Sequence, residues 1–494
     1  NFADVARKAI SEIGYNGGFF AILNGVPYDL KPAVSRVIFQ GLGGNDQVTV
    51  FGSDGDDGVI MGVYDGDAGA DVTASGFRVS LRGAERVRFL GGHGRDVAEI
   101  IDTPFDDVFT GRLGSSVLEG GGFRFEAIDT EIVHAYRRNG GEDVAELYDT
   151  DGKDFFVGTP LWSRITSADY DYFVRAKGFA EVQAHAVNSG LDSAELRDSS
   201  GDDVLIATPR WASMEGTGFT LRADGFEQVA GLSQAGGNDA AYLKGSAGAE
   251  SLTGAPGAII VTGGDFVHAA FGFRSTTVYS MGGADSASIT DTSGDDEFVM
   301  APRLLTAQGG GFELRIQGYA RAEVTASQGG GDVVHLYDSA GDDLFEGGRD
   351  AVTMTGPGYT SKANLFDYVH AYSLAGGNDR ATLRDSAGDD IFVGRPTLAR
   401  LSGADYLIRL REFEEVDVTS SQGGNDYALL YDSNVADHLT ATALGLELSG
   451  GPSSAPFRYR LLGFSQVRAA ASDNHNTKSI DPAAWAYLTL TGLW

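Results

Sequence analysis

The chain has 494 residues, 42% of them apolar, and a net charge of -32 from 37 basic and 69 acidic side chains. It contains no cysteine, which excludes a disulfide scaffold, thiolate metal sites and cysteine nucleophiles. The acidic field disfavours nucleic acid and anionic membrane surfaces, since both need clustered Lys and Arg, and it favours cations.

The first element is a short amphipathic stretch, F-A-D-V-A-R-K-A-I-S-E-I. It places Phe2, Val5, Ala6, Ala9, Ile10 and Ile13 at helical spacing and predicts a helical cap over residues 1–15. The N-terminus lacks the layout of a signal peptide, so a mature or trimmed chain is expected. No stretch approaches the ~20 apolar residues of a membrane span.

From residue 16 to residue 472 the sequence is periodic. G-G-N-D, or a close variant of it, ends at Asp46, Asp96, Asp143, Asp192, Asp239, Asp285, Asp332, Asp379 and Asp426, which gives nine copies at a period of about 47 residues. A second element, D-S-x-G-D-D followed by an apolar pair, starts six residues after that aspartate, as from Asp379 to Asp385 and from Asp96 to Asp102. A short strand follows, then a glycine-rich turn into an aromatic (Phe123, Phe219, Phe312, Tyr359, Tyr406), another strand, and a G-F-x-x-V segment such as Gly178–Val182. Alternating apolar positions such as Tyr406, Ile408 and Leu410 have the strand period of two, and only Gly, Asp, Ser and Pro turns separate the runs. Each repeat therefore holds about five short strands.

Such a unit fits a parallel β-helix (β-solenoid) with two coils per repeat, or a propeller with one blade per repeat. Nine blades would exceed the usual four to eight, so an all-β solenoid of nine repeats is expected, with the β-propeller as the alternative. The recurrent aromatics are expected in its core. The last segment, 473–494, reads as a linker with a cap or assembly segment, in which Asp481-Pro482 has the pattern of an N-cap and first-turn proline.

The aspartates admit two readings. In one, Asp, Ser and Gly close stacked turns through side-chain hydrogen bonds and left-handed glycines. In the other, the turns bind a cation. The candidate ligands are Asp96, Asp143, Asp239, Asp332, Asp379 and Asp426 of the first element, with Asp202, Asp203, Asp295, Asp296, Asp342, Asp343, Asp385, Asp389 and Asp390 of the second. Equivalent aspartates two strand layers apart are about 9.6 Å from one another, beyond the reach of one ion's ~2.3–2.6 Å bonds. A ligand set within one repeat, such as Asp379, Asp385 and Asp389, is therefore expected. Catalysis has little support, because acidic residues are the rule of the repeat and an active site is an exception to it. His134 and His370, both in V-H-A-Y, belong to different repeats and are expected at the surface or lining a turn.

Residues 91–99, G-G-H-G-R-D-V-A-E, resemble the calcium-binding nonapeptide of RTX (haemolysin-type) repeats, and Gly388, Asp390 and Phe392 fall in the same register. The chain as a whole resembles secreted Asp/Gly-rich β-helix repeat proteins of bacterial surfaces, in particular planctomycete exported proteins with G-G-N-D and D-S-A-G-D-D repeats. The resemblance implies Ca2+ at the turns and an extracellular or cell-surface location. It also implies a structural role as a surface-layer, fibre or adhesin subunit that assembles head to tail into homo-oligomers or homopolymers, with cell-surface polysaccharide as a further partner. The alternatives are a polysaccharide lyase or hydrolase on the same scaffold, and a calcium-dependent carbohydrate-binding module.

Overall fold

The computed structural model describes residues 19–494 apart from 24–25, 31–34, 42, 65, 75–76 and 473–474. The helix expected over residues 1–15 lies outside the described residues. Two compact units emerge, one running to Asp239 and including Asp265–His268, the other formed by Ala240–Gly264 and Ala269–Trp494. Among the described residues each is an all-β solenoid of two facing sheets, with no propeller blades.

One repeat of the second unit shows how the chain is laid down. After Asp379, the strand Arg380–Arg384 enters one sheet. The strands Ile391–Arg395, Leu398–Ser402 and Leu407–Arg411 then form an antiparallel meander in the other sheet, and Glu415–Thr419 returns to the first, parallel to Arg380–Arg384. The five strands foreseen per repeat are present, but in place of two equal coils three of them fold back on one another. Parallel pairing joins repeats instead: Ile391–Arg395 pairs with Tyr427–Tyr431 of the next repeat, and Leu407–Arg411 with Tyr368–Tyr372 of the previous one.

The chain crosses between sheets three times per repeat, at the D-S-x-G-D-D corner, at the G-F corner and at the G-G-N-D corner. Three is odd, so consecutive repeats place their meanders on opposite sheets: the next meander, His438–Ala441, Gly445–Gly450 and Phe457–Leu462, lies in the sheet of Arg380–Arg384. The first unit follows the same rule. Its strand Val144–Tyr148 is followed by the meander Asp154–Gly158, Trp162–Ser167 and Phe173–Lys177 on the facing sheet, and Glu181–His185 returns beside the start.

Strand alternation fills the space between the sheets. Phe392, Leu401, Ile408, Leu410, Val416 and Val418 are all buried. The Phe392 ring meets Tyr459 of the facing sheet at 5.9 Å between centroids. Gly394 lies beside this contact, where a Cβ would fall 2.7 Å from a Leu430 methyl and 3.4 Å from the Tyr459 ring. The recurrent aromatics are core residues as expected, with Phe219, Phe312, Tyr359 and Tyr406 buried and Phe123 half-buried.

At the C-terminus, Thr477–Ile480 and Leu488–Gly492 extend the two sheets in parallel. Between them lies a 3-10 helix, Pro482–Ala486, whose N-cap Asp481 accepts a hydrogen bond from the Ala483 amide as its sequence pattern foretold. Among the described residues no helix is long and apolar enough to cross a membrane.

Candidate functional site: the aspartate corners

The segment S/T-x-G-D-D is a self-contained turn. In the repeat of Asp390, the Ser386 Oγ accepts from the Gly388 amide at 3.2 Å, while the Ser386 amide donates to Asp390 Oδ2 at 2.7 Å. The same pair of bonds closes the corner in all nine repeats, with Thr103, Thr150 or Thr292 in the serine role and Glu250 once in the aspartate role. A short hydroxyl side chain two residues before a turn amide can satisfy that amide locally, so the corner is encoded by its own sequence.

A second layer of bonds ties each corner to the next repeat. The amide of the last corner acid donates to the G-G-N-D aspartate that follows it: Asp57 to Asp96, Asp107 to Asp143, Asp154 to Asp192, Asp203 to Asp239, Asp296 to Asp332, Asp343 to Asp379 and Asp390 to Asp426, at 2.7–3.0 Å. At the last junction Asn476 Oδ1 accepts from the Asp437 amide in the same way. The first aspartate of the D-D pair is exposed and caps the amide just before the next G-G-N-D aspartate, as from Asp202 to Asn238, Asp295 to Gly331, Asp342 to Asn378 and Asp389 to Asn425. Asp385 accepts from the amides of Ser421 and Gln422, and Asp102, Asp149, Asp198, Asp291, Asp338 and Asp432 hold the equivalent amides of their neighbours. A carboxylate bound to backbone amides is worth ~1.5–3 kcal/mol per bond, and losing it strands a buried donor.

The predicted ligands therefore divide by place. Asp379, Asp385 and Asp389 of one repeat are not brought together: Asp379 accepts from Asp343 behind it, Asp385 from Gln422 ahead, and Asp389 is exposed. Two other sets do converge across a repeat junction, Asp385–Asp390–Asp426 and Asp291–Asp296–Asp332, with one oxygen from each residue within 4.8 Å of the others and all six side chains buried. Distance between equivalent aspartates is not the limit here, because non-equivalent corners of successive repeats stack on each other. Either set could hold a metal ion. Asp291 was not among the foreseen ligands, although it opens D-T-S-G-D-D as Asp385 opens D-S-A-G-D-D. Asp96, Asp143, Asp202, Asp239, Asp342 and Asp379 serve as junction acceptors, whereas the Asp203 and Asp343 carboxylates close their own corners and their amides donate across the junction.

Burial pushes the carboxyls of Asp96, Asp107, Asp192, Asp332 and Asp379 up to about 6, and neighbouring carboxylates add to the effect. Where a donor is available it is used: the hydroxyls of Tyr359 and Tyr406 donate to Asp343 Oδ1 and Asp390 Oδ1 at 2.8 and 2.7 Å. In the repeat of Asp296 the equivalent position holds Phe312, and Asp296 Oδ1 is buried without a partner.

A polar groove of about 810 Å³ in the second unit runs beside one of the convergent sets. Glu346, Arg349, Arg384, Asp405 and Gln422 line it, and Asp385 forms part of its wall. His134 and His370 are half-buried on strands, not on turns, and the His370 ring stacks on His335 at 5.1 Å between centroids. Compared with known proteins, the chain matches no family model and no curated protein.

Proposed function

We propose that this chain is a non-enzymatic extracellular structural protein, a surface-layer, fibre or adhesin subunit, with calcium bound at its aspartate corners and copies assembling head to tail. One observation carries the reading: corner carboxylates are spent on backbone amides at one repeat junction after another, an arrangement that holds a scaffold together. Calcium is supported by the two buried three-aspartate sets, whose hard oxygen donors and net negative charge suit that ion. Thermal unfolding in calcium against EDTA tests the ion. A higher Tm in calcium, lost in Asp385→Asn, is expected, and equal Tm values in both would remove calcium from the reading. A single monomeric species by light scattering, at high protein and calcium concentration, would remove head-to-tail assembly.

The groove beside Asp385 favours a second reading, calcium-dependent binding of polysaccharide. Its test is glycan-array binding with and without chelator. Release of new reducing ends from any bound glycan would instead point to a hydrolase.

A further inference from the structure

One repeat junction departs from the pattern at several positions together. In the repeat that begins at Asp239, Gly245 stands where seven others carry the amide-binding aspartate (Asp385 and its equivalents), and Glu250 replaces the last corner aspartate. In the following repeat, Tyr319 occupies the G-F corner position that is phenylalanine in six other repeats, at Phe179, Phe226, Phe273, Phe366, Phe413 and Phe464. In five repeats that phenylalanine packs on another two residues beyond the corner acid, as Phe366 does on Phe298 and Phe413 on Phe345. Here the residue two beyond Glu250 is Leu252, which is smaller.

These exchanges remove one carboxylate, lengthen another and add a hydroxyl, all in the interior. Glu250, Asp285 and Tyr319 are 2%, 0% and 3% exposed. Glu250 keeps the corner bonds, since its Oε1 accepts from the Ser246 amide at 2.9 Å and its own amide donates to Asp285 Oδ1 at 2.8 Å. The other oxygen of each carboxyl and the phenol oxygen, namely Glu250 Oε2, Asp285 Oδ2 and Tyr319 Oη, are buried and have no hydrogen-bond partner. A Cβ on Gly245 would lie 2.7 Å from Glu250 Oε2, so the acid lies directly against the glycine, as Asp57 does against Gly52 in the first repeat. The three groups sense one another: after burial itself, the charges of Asp285 and Glu250 are what push the Tyr319 phenol up, and Asp285 likewise helps push Glu250 up. Three buried oxygens without a partner, two of them on carboxyls, are costly unless something balances their charge.

We propose that Glu250, Asp285 and Tyr319 form a buried site for one hard divalent cation, distinct from the three-aspartate sets. Two carboxylates balance a charge of two, and an all-oxygen donor set suits calcium or magnesium and not a soft metal. The ion supplies the partner that these three atoms lack, and it locks the junction where the amide-binding aspartate is missing.

The test uses the full chain stripped of metal and dialysed against calcium or magnesium, with bound equivalents counted by elemental mass spectrometry and Tb3+ emission excited through tyrosine. Glu250→Gln is expected to hold one equivalent fewer than the unaltered chain. Tyr319→Phe, which installs the residue found in six other repeats, is expected to weaken that equivalent roughly 10- to 100-fold and to dim the sensitised emission. Asp385→Asn should leave this equivalent in place, which separates the site from the corner calcium. Equal counts in Glu250→Gln and the unaltered chain, or no bound metal in either, would overturn the proposal and leave a carboxyl pair sharing a proton.

Discussion

The backbone amide of Asp390 donates to Asp426 Oδ1 at 2.8 Å, so the closing residue of one corner is held by the opening residue of the next repeat, 36 positions on. The bond joins two different corner motifs. Because the chain crosses between sheets an odd number of times per repeat, the D-S-x-G-D-D corner of one repeat stacks against the G-G-N-D corner of its successor.

Replacing Asp426 with alanine strands the Asp390 amide in a buried corner and removes the acceptor for the Ser420 hydroxyl. The expected loss is about 2–4 kcal/mol, read as a lower urea midpoint with an unchanged slope. Asp389→Ala, at an exposed capping position, should lose less than half as much. Equal losses would mean that burial does not set the strength of the junction.

The tyrosine and phenylalanine repeats form a natural exchange experiment. Tyr406→Phe takes the hydroxyl from Asp390 Oδ1 and should destabilise by about 1–2 kcal/mol. Phe312→Tyr supplies a donor to the unpartnered Asp296 Oδ1 and should stabilise by about 1 kcal/mol. Urea unfolding of the two variants gives shifts of opposite sign if the corner geometry is shared.

Gly424 has φ of 84°, and a Cβ placed on it would lie 2.0 Å from the Gly388 carbonyl oxygen of the preceding repeat. Gly424→Ala therefore meets both a left-handed backbone and a rigid neighbour. A cost of about 2–4 kcal/mol is expected in thermal or urea unfolding. Gly376, also left-handed but with open space around its Cβ, should cost only about 1 kcal/mol as alanine.

Stability of the metal-free chain should rise as pH falls from 8 toward 5. Asp96, Asp107, Asp192, Asp332 and Asp379 are raised to about 6 in the folded chain, so between 3.8 and 6 the folded state binds more protons than the unfolded one. Stability is then lost as pH rises through 6. Burial lowers His134 and His268 to about 4, which acts in the opposite direction between 6.5 and 4. Five groups outweigh two, and a Tm in EDTA that falls steadily from pH 8 to pH 5 would contradict this balance.

The sequence by itself determined the repeat, the strand count, the all-β solenoid and the corner chemistry, because each is local. Ser386, Gly388 and Asp390 close their turn within five residues, and Phe392, Ile408 and Leu410 declare their buried faces by alternation. Only the tertiary structure decided which corners meet. Grouping Asp379 with Asp385 and Asp389 assumed that neighbours in sequence are neighbours at the corner. The meander instead shifts the chain by strand layers, so Asp385 and Asp390 converge with Asp426. Nor does one sequence copy reveal that Tyr319 in one repeat answers Gly245 and Glu250 in the one before. That relation exists because stacking places residues about 35 to 70 positions apart at a single buried junction, where the low dielectric makes every unpaired oxygen count.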